Sequence, residues 1–199
     1  MPAPFFPEVS AAWTKAAIVG GEIPANEFMD ASKQFTPIFD RLGKVFFPVK
    51  ADLNGNVEKL VKHLAATPAA TLHAMIRAEK AAGKSKEKNS ASGSLLWLKR
   101  AMQFVFCLLK RVSKGEEANK AAQEAYKETL MAYHGFMVKK TFQLGLMAAP
   151  STATMLACLG ENDAQSMTEM VEWVSIAEPL LQNIHAFLEA EGLDDKATA

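Results

Sequence analysis

The sequence has few of the features that mark an enzyme or a metalloprotein. Its 199 residues include two cysteines, Cys107 and Cys158, which lie too far apart for a metal-binding or redox motif. The four histidines form no pairs at the helical spacing of metal ligands. There is no glycine-rich phosphate loop, no His-Glu-x-x-His motif and no nucleophile elbow. The sequence therefore predicts no catalytic residues, no metal site and no cofactor. We expect both cysteines to be small, buried and apolar, in a reducing compartment.

Long hydrophobic runs and an excess of one charge are also missing. The most apolar stretch, residues 144–160, is interrupted by Pro150 and a cluster of Ser and Thr, so it is not expected to span a membrane. The N-terminal sequence MPAPFFP lacks the basic region and apolar run of a secretory signal. Lys and Arg number 22, as do Asp and Glu, which gives no general attraction to nucleic acid or anionic membranes. These absences predict a cytoplasmic protein with no nucleic-acid partner.

What the sequence does contain is a large supply of apolar side chains. Hydrophobic residues make up 49% of the chain, with twelve Phe and ten Met. Methionine fills irregular spaces, so this composition predicts a large and adaptable apolar interior. A chain of this length favours one domain over residues 1–199, because about two-thirds of its surface can be buried on folding.

Apolar residues recur at helical spacing through most of the chain, and no alternating strand pattern appears. The sequence thus predicts an all-α fold with helices stacked in layers around one core. Residues 83–93 are a polar, basic surface loop. The predicted helices cover residues 25–42, 67–83, 95–112, 117–147 and 167–191. We expect a kink at Pro37 in the first, and a division or a bend near Pro179 in the last. The second should begin with Thr67 as N-cap and Pro68 at the first helical position, and the 95–112 helix should run through the middle of the fold.

Three polar residues, Asp52, Asn56 and Lys59, recur at helical spacing on one face of a predicted helix. A separate apolar stripe on the same helix contains Leu53, Val57, Leu60, Val61 and Leu64. A carboxylate, an amide and an ammonium together suit a neutral molecule with many hydroxyl groups. Spacing alone equally allows a solvated polar face.

Two further residues have both a functional and a structural interpretation. Trp97, near the start of the predicted 95–112 helix, could stack on the apolar face of a sugar ring or fill the core. His134 shares a predicted helical face with Leu130, Val138 and Phe142. It could bind a ligand or be a core histidine bonded to a backbone carbonyl.

Three segments together resemble the glycolipid transfer protein family. The segment FFPVKADLNGNVEK at residues 46–59 resembles the head-group motif of this family. The segment LWLKR at residues 96–100 resembles its Trp-Leu-Lys-Arg segment, and YHG at 133–135 followed by AAP at 148–150 resembles its histidine segment. The order and separation of the segments also agree, and the similarity extends over residues 28–150.

The resemblance implies a two-layer all-α sandwich that encloses an apolar lipid pocket, and a non-enzymatic carrier of glycosphingolipids. It implies that Trp97 stacks on the first sugar, and that Asp52 accepts hydrogen bonds from the ceramide amide and sugar hydroxyls. Asn56 and Lys59 would bond further hydroxyls, and His134 would donate to the acyl carbonyl. The residues implied to line the hydrocarbon cavity are Phe104, Phe142 and Leu146.

The chain departs from the family pattern at two places. Phe136 stands where some members have a tryptophan attributed to transient contact with the membrane, and the C-terminus lacks the aromatic ending of some animal members. Three alternative functions remain: a ceramide-1-phosphate carrier, a glycolipid sensor or scaffold with little transfer, and a lipid hydrolase. The first needs extra cations for the phosphate, whereas Trp97 occupies the position where a cation is expected and Asn56 is neutral.

Overall fold

The computed structural model describes residues 3–160 and 162–196, and this part of the chain contains no β-strand. Met1, Pro2 and residues 197–199, which belong to the terminal segments considered in the sequence analysis, lie outside the described residues. Short 3₁₀ helices span Lys44–Phe46 and Met131–Tyr133. The α-helices are α1 (Phe6–Lys15), α2 (Ala25–Phe35), α3 (Ile38–Leu42), α4 (Phe47–Ala66), α5 (Leu72–Ala81), α6 (Ala91–Ser113), α7 (Ala118–Glu128), α8 (Phe136–Leu146), α9 (Thr152–Leu159) and α10 (Asp163–Ala190).

The helices form a two-layer sandwich, which confirms the predicted fold class. Helix α6 lies at the centre and packs against α4, α5, α7 and α10, while α1 packs against α2 and α10. The apolar character of α6 on several sides follows from this position, since most of its surface faces other helices. No helix in the described ranges combines the length and hydrophobicity needed to cross a bilayer.

Aromatic residues fill the core between α1, α2 and α10. The rings of Phe35 and Trp173 stack with their centroids 4.5 Å apart, and Trp13 meets Trp173 edge-on at 5.3 Å. All three side chains are fully buried. These contacts place two of the three tryptophans in the core and leave Trp97 as the half-buried one.

Several helix boundaries differ from the prediction. The 25–42 segment divides at Thr36 and Pro37 into α2 and α3. Helix α3 ends before Gly43, whose φ of 101° is a backbone angle that residues with a side chain rarely adopt. The helix expected to begin at Thr67 and Pro68 begins at Leu72, because the Thr71 hydroxyl caps it by accepting from the Ala74 amide at 3.0 Å.

The later part of the chain also departs from the predicted boundaries. The single helix expected over 117–147 is wrong, since the chain divides into α7, a 3₁₀ turn and α8. Of the two outcomes predicted near Pro179, a division or a bend, the division is wrong, because α10 continues through this residue. Cys107 and Cys158 are half-buried instead of buried. Burial raises the pKa of the Cys107 thiol to about 11, so it stays protonated at neutral pH.

Candidate functional site

The three polar residues predicted to share a face do so on α4. The separate apolar stripe of this helix packs on the core, with Leu53, Val57 and Leu60 buried. Asn56 is only 4% exposed, and its Nδ2 donates to the backbone carbonyl of Asp52 at 2.9 Å. This bond fixes the amide of Asn56 beside the Asp52 side chain, so the helix presents both groups in a defined arrangement.

Trp97 lies in α6, which begins earlier than predicted. Ser90 caps the helix by accepting from the Gly93 amide at 3.1 Å, and the Glu79 carboxylate accepts from the amides of Ala91 and Ser92 at 2.6 and 2.7 Å. These caps start the helix at Ala91, so Trp97 lies within it and does not open it. Its indole is therefore carried on a fixed helical backbone.

The Trp97 indole has a cationic neighbour one turn further along α6. The guanidinium carbon of Arg100 lies 5.1 Å from the centre of the Trp97 ring and 3.5 Å from that of Tyr133. Arg100 is almost completely buried. A guanidinium close to two aromatic rings is attracted by them, and this restricts how the indole can turn.

His134 lies between elements and not on a helical face, which corrects the prediction. It follows the 3₁₀ turn that ends at Tyr133, has extended backbone angles and precedes the first turn of α8. Its Nδ1 lies 3.0 Å from the hydroxyl of Tyr126 on α7. Burial raises the pKa of that hydroxyl, so it stays protonated at neutral pH and can donate to Nδ1. With Nδ1 accepting, the neutral ring carries its proton on Nε2.

Asp52 and His134 of the site are both shifted toward their neutral forms. Burial raises the pKa of the Asp52 carboxyl, against the opposing effects of Asn56 and Lys59. The Asp52 residue as a whole is nevertheless exposed to solvent, so its carboxyl is only partly removed from water. Burial lowers the pKa of His134, and Lys139 lowers it further. The imidazole is therefore neutral at pH 7.

One cavity brings together all five residues predicted to bind the head group. It has a volume of about 360 Å³ and is lined by Asp52, Asn56, Lys59, Trp97 and His134, together with Pro48, Val49, Ala101, Leu130, Val138 and Phe142. We call this the head-group cavity. One end offers a carboxylate, an amide, an ammonium and an imidazole, and the rest is aliphatic or aromatic. Such a cavity can hold a molecule with a polar, hydroxyl-rich part joined to an apolar part.

The three residues predicted to line a hydrocarbon pocket have different surroundings. Phe142 lines the head-group cavity, and its ring lies 5.7 Å from that of His134 and 5.6 Å from that of Phe104. Phe104 is fully buried behind it. Leu146 is also fully buried and lines a separate groove of about 230 Å³ with residues of α7 and α8. A continuous aromatic contact therefore runs from the head-group cavity into the core through two of the three.

Another polar cluster combines His185, Glu189 and Asp194, whose ligand atoms lie close enough to consider a metal. The Lys99 ammonium lies 3.2 Å from His185 Nδ1 and 3.3 Å from Asp194 Oδ1. A positive charge thus already occupies the position next to two of the three ligands, and a metal cation there would be repelled.

Sequence reasoning missed two residues at the site, Tyr126 and Asp194. Tyr126 orients His134, as described above. Asp194 accepts from Lys99 and from Arg100, the neighbour of Trp97, at 3.3 Å each. Both pairings join separate helices or distant segments, so no local spacing could have shown them.

Comparisons with known proteins agree with this geometry. A family model described as glycolipid transfer protein matches residues 23–161. A protein of Aureobasidium melanogenum named glycolipid transfer protein is 31% identical over 192 residues, which cover 94% of each sequence. A solved structure concerned with how FAPP2 selects simple glycosphingolipids with the GLTP fold is similar with a TM-score of 0.90 and 29% identity, over 98% of this chain and 99% of that chain. Mouse ceramide-1-phosphate transfer protein is similar in fold, with a TM-score of 0.87 and 20% identity over 94% of this chain and 97% of that chain.

Proposed function

The chain belongs to the glycolipid transfer protein family, and on that basis we propose that it carries single glycosphingolipids between membranes without catalysing a reaction. The head-group cavity supports this proposal most directly, because it joins hydroxyl-binding groups to an aromatic platform and an apolar wall. We further propose that residues 1–199 act as one domain. Helices α1 and α10, which both lie outside the matched range, pack onto α2 and α6 within it.

The lipid's chains pose the physical problem that such a carrier solves. Each buried methylene contributes about 0.8 kcal/mol, so a two-chain lipid leaves a bilayer very slowly. An apolar protein interior offsets this cost and shields the chains from water during transfer. No bond needs to be broken and no energy source is needed, because lipid simply equilibrates between membranes. Such exchange between membranes facing a common aqueous phase fits a cytoplasmic protein.

The individual roles follow from the chemistry of each side chain. Trp97 offers its ring face to the first sugar, while Asn56 and Lys59 offer an amide and an ammonium to the sugar hydroxyls. Asp52 accepts the ceramide N–H, and the Nε2–H of His134 donates to the acyl carbonyl. A head-group cavity of about 360 Å³ lies near the lower end of the volumes of small-molecule sites, which leaves little room for two hydrocarbon chains. The hydrocarbon chains would therefore enter the core past Phe142, toward Phe104 and Leu146.

The charge of the head-group cavity favours a neutral sugar over a phosphate. Among the described residues that line it, Lys59 is the only Lys or Arg, and its neighbour Asp52 is acidic. A phosphate carries up to two negative charges and is usually held by several cations. A phosphorylated ceramide would meet one cation and one carboxylate here.

We therefore expect a preference for glycosylceramides in a competition experiment. Labelled glucosylceramide in donor vesicles should move to acceptor vesicles, and unlabelled glucosylceramide should compete at least tenfold better than ceramide-1-phosphate. Equal or stronger competition by ceramide-1-phosphate would assign the protein to phosphate carriers. Binding with no acceleration of transfer would indicate a sensor or scaffold, and release of free sugar or fatty acid would indicate a hydrolase.

We also propose that α8 forms the surface that contacts the membrane. Its first residues, Phe136 and Met137, are 77% and 72% exposed, and Lys140 lies on the same helix. Exposed apolar side chains next to lysines suit the boundary between lipid head groups and acyl chains. The same helix lines the head-group cavity through Val138 and Phe142, so a membrane bound here would face the entrance for lipid.

Replacing Phe136 and Met137 together with serine should slow transfer by tenfold or more. Burying one large apolar side chain contributes roughly 1.5–3 kcal/mol, so losing two weakens membrane contact strongly. Binding of detergent-solubilised glucosylceramide should be unchanged, because neither residue lines the head-group cavity. Val171→Ser, an exposed position on α10, is the control. If the double variant transferred lipid at the normal rate, α8 would not be the contact surface.

A further inference from the structure

We propose that Asp194, in the segment that follows α10, is a positioning residue that holds the Trp97 indole in its orientation at the head-group cavity. This inference rests on the proposed function, because it concerns the ring to which we assign the first sugar. Asp194 is not among the residues that line the head-group cavity. It acts through Arg100, the buried neighbour of Trp97 on α6.

The end of α10 brings Asp194 to α6. Gly192 follows the helix with a φ of 68°, which glycine adopts readily, and turns the chain out of the helical path. The Leu193 amide then donates to a carbonyl of α10 at 2.8 Å and completes the helix cap. Leu193 also lines, with Trp97 and Arg100, a cavity of about 380 Å³. The next residue, Asp194, therefore lies beside α6.

Asp194 pairs with two buried cations of α6. Its Oδ1 lies 3.3 Å from Lys99 Nζ and 3.3 Å from Arg100 Nη2. The side chains of Lys99 and Arg100 are 2% and 1% exposed, and that of Asp194 is 8% exposed. Burial by itself would raise the pKa of the Asp194 carboxyl, but the two cations outweigh burial and lower it, so the carboxyl is ionised at neutral pH. Neighbouring buried cations need such a counter-charge, because an unpaired charge inside a protein is strongly destabilising.

Arg100 connects this ion pair to Trp97. Its guanidinium carbon lies 5.1 Å from the centre of the Trp97 ring and 3.5 Å from that of Tyr133, and its Nη2 also donates to the backbone carbonyl of Asp195. The guanidinium is thus bonded to the segment after α10 and packs on both rings. The Trp97 indole in turn lies nearly parallel to the His134 imidazole, with 13° between the ring planes and 6.5 Å between the centroids. The indole therefore has one defined orientation within the site.

Loss of the Asp194 charge would release this arrangement. An unpaired guanidinium would turn toward water, and the indole would lose the cation that restricts its rotation. A ring that is free to rotate must be ordered again when a sugar binds, and this lowers affinity. A positioning role thus predicts a change at Trp97 even in the absence of lipid.

Replacing Asp194 with asparagine should weaken glucosylceramide binding about three- to tenfold, the range expected for ordering one aromatic side chain. The variant keeps the size of the side chain and removes its charge. In a Trp97→Ala background the same replacement should change affinity less than about twofold, because the ring on which it acts is gone. An equal loss in both backgrounds would overturn the inference, since Asp194 would then act on another part of the site or on the fold.

Quenching of tryptophan fluorescence by acrylamide, measured without lipid, separates positioning from a general loss of stability. Asp194→Asn should increase quenching, because the released Trp97 indole is more accessible. In a Trp97→Phe background, where the buried Trp13 and Trp173 are the remaining tryptophans, it should leave quenching unchanged. Increased quenching in that background would show that the core has loosened, and no increase with Trp97 present would show that the indole is still held. Either result would overturn the inference.

Two controls address the change of charge itself. Lys99→Met combined with Asp194→Asn removes one cation and one carboxylate, so the net charge of the cluster is kept while Arg100 still loses the carboxylate. This charge-balanced variant should reproduce the effects of Asp194→Asn, also where the single variant fails to fold, and Lys99→Met alone should bind glucosylceramide normally. Glu178→Gln breaks its ion pair with Lys110, which also joins α6 to α10 but lies about 20 Å from the indole along α6. It should change neither affinity nor quenching.

The outcomes separate this inference from the proposed function. If the unaltered protein bound no glucosylceramide, the carrier function would be contradicted, while the quenching measurements would still test whether Asp194 holds the indole. Normal glucosylceramide binding by Asp194→Asn and by the charge-balanced variant would overturn the inference and leave the carrier function intact.

Discussion

Replacing Trp97 with alanine should remove most glycolipid transfer while the protein stays folded. The indole is half-buried and lines two cavities, so it is not one of the tryptophans on which the core depends. Aromatic stacking contributes about 0.5–1.5 kcal/mol beyond area burial, and covering the ring face adds a similar or larger amount. A total of about 2–4 kcal/mol corresponds to a loss of affinity of roughly 30- to 700-fold.

The measurement is the rate of glucosylceramide transfer between vesicles, with melting temperature recorded for each variant. Trp97→Phe should keep part of the activity, because a smaller ring still offers a stacking surface. Trp13→Phe is the matched control in the core, where the side chain is fully buried. It should lower the melting temperature and leave transfer by the folded protein intact. Normal transfer by folded Trp97→Ala would remove the sugar-platform role.

The fold class could be predicted from sequence because helical periodicity is a property of each segment. The helix boundaries were harder to predict where contacts between distant parts of the chain determine them. Pro68 is compatible with the first turn of a helix, yet the chain there instead bonds to the segment before α2: the Leu72 amide donates to the Ile23 carbonyl at 2.9 Å. That bond delays the helix until Thr71 can cap it. Thr67 is instead the C-cap of α4, and its amide donates to the His63 carbonyl at 2.9 Å.

The break before α8 shows a local signal that periodicity obscured. Gly135 is the N-cap of α8, and glycine inside a helix costs about 1 kcal/mol relative to alanine. The apolar residues on either side keep a helical period, so the pattern continues across the break. His134 nevertheless lines the head-group cavity, together with Leu130, Val138 and Phe142.

The head-group residues could be predicted because three of them share one helix and the other two belong to motifs with a known order. Tyr126 and Asp194, which lie behind these residues, could not be predicted from the sequence. Asp194 lies 94 residues from Arg100 in the sequence, and nothing near either residue indicates the pairing. The proximity of Tyr126 to His134 depends on the 3₁₀ turn between them, which the predicted continuous helix did not contain.

Asp52 and His134 should act as a pair on the ceramide amide, and this is the second large effect that we expect. An amide has one donor and one acceptor, and binding beside an apolar pocket removes water from both. A buried polar group without a hydrogen-bond partner costs about 1–3 kcal/mol, so the amide N–H and the carbonyl each need a partner from the protein. Ionised Asp52 can only accept, which suits the N–H, and the neutral His134 donates through Nε2–H, which suits the carbonyl.

Asp52→Val and His134→Leu should therefore each weaken glucosylceramide binding by roughly tenfold or more, since about 1.4 kcal/mol is tenfold. Because both would contact one amide, the double variant should lose less than the sum of the two single losses. Affinity should also fall on acidification, beginning at a higher pH than for an ordinary aspartate, because burial raises the pKa of Asp52. Asp52→Val should abolish that pH dependence.

The alternative is that His134 only supports the fold, and the Tyr126 contact provides a way to separate the two. His134→Leu leaves the buried Tyr126 hydroxyl without its partner, so the melting temperature should fall in either case. Tyr126→Phe removes the same hydrogen bond but keeps the imidazole, so it should cost less affinity than His134→Leu. If the two variants lost stability while the folded fraction of each bound glucosylceramide normally, His134 would be a core residue. Strictly additive losses for Asp52→Val and His134→Leu would show that the two side chains contact different parts of the lipid.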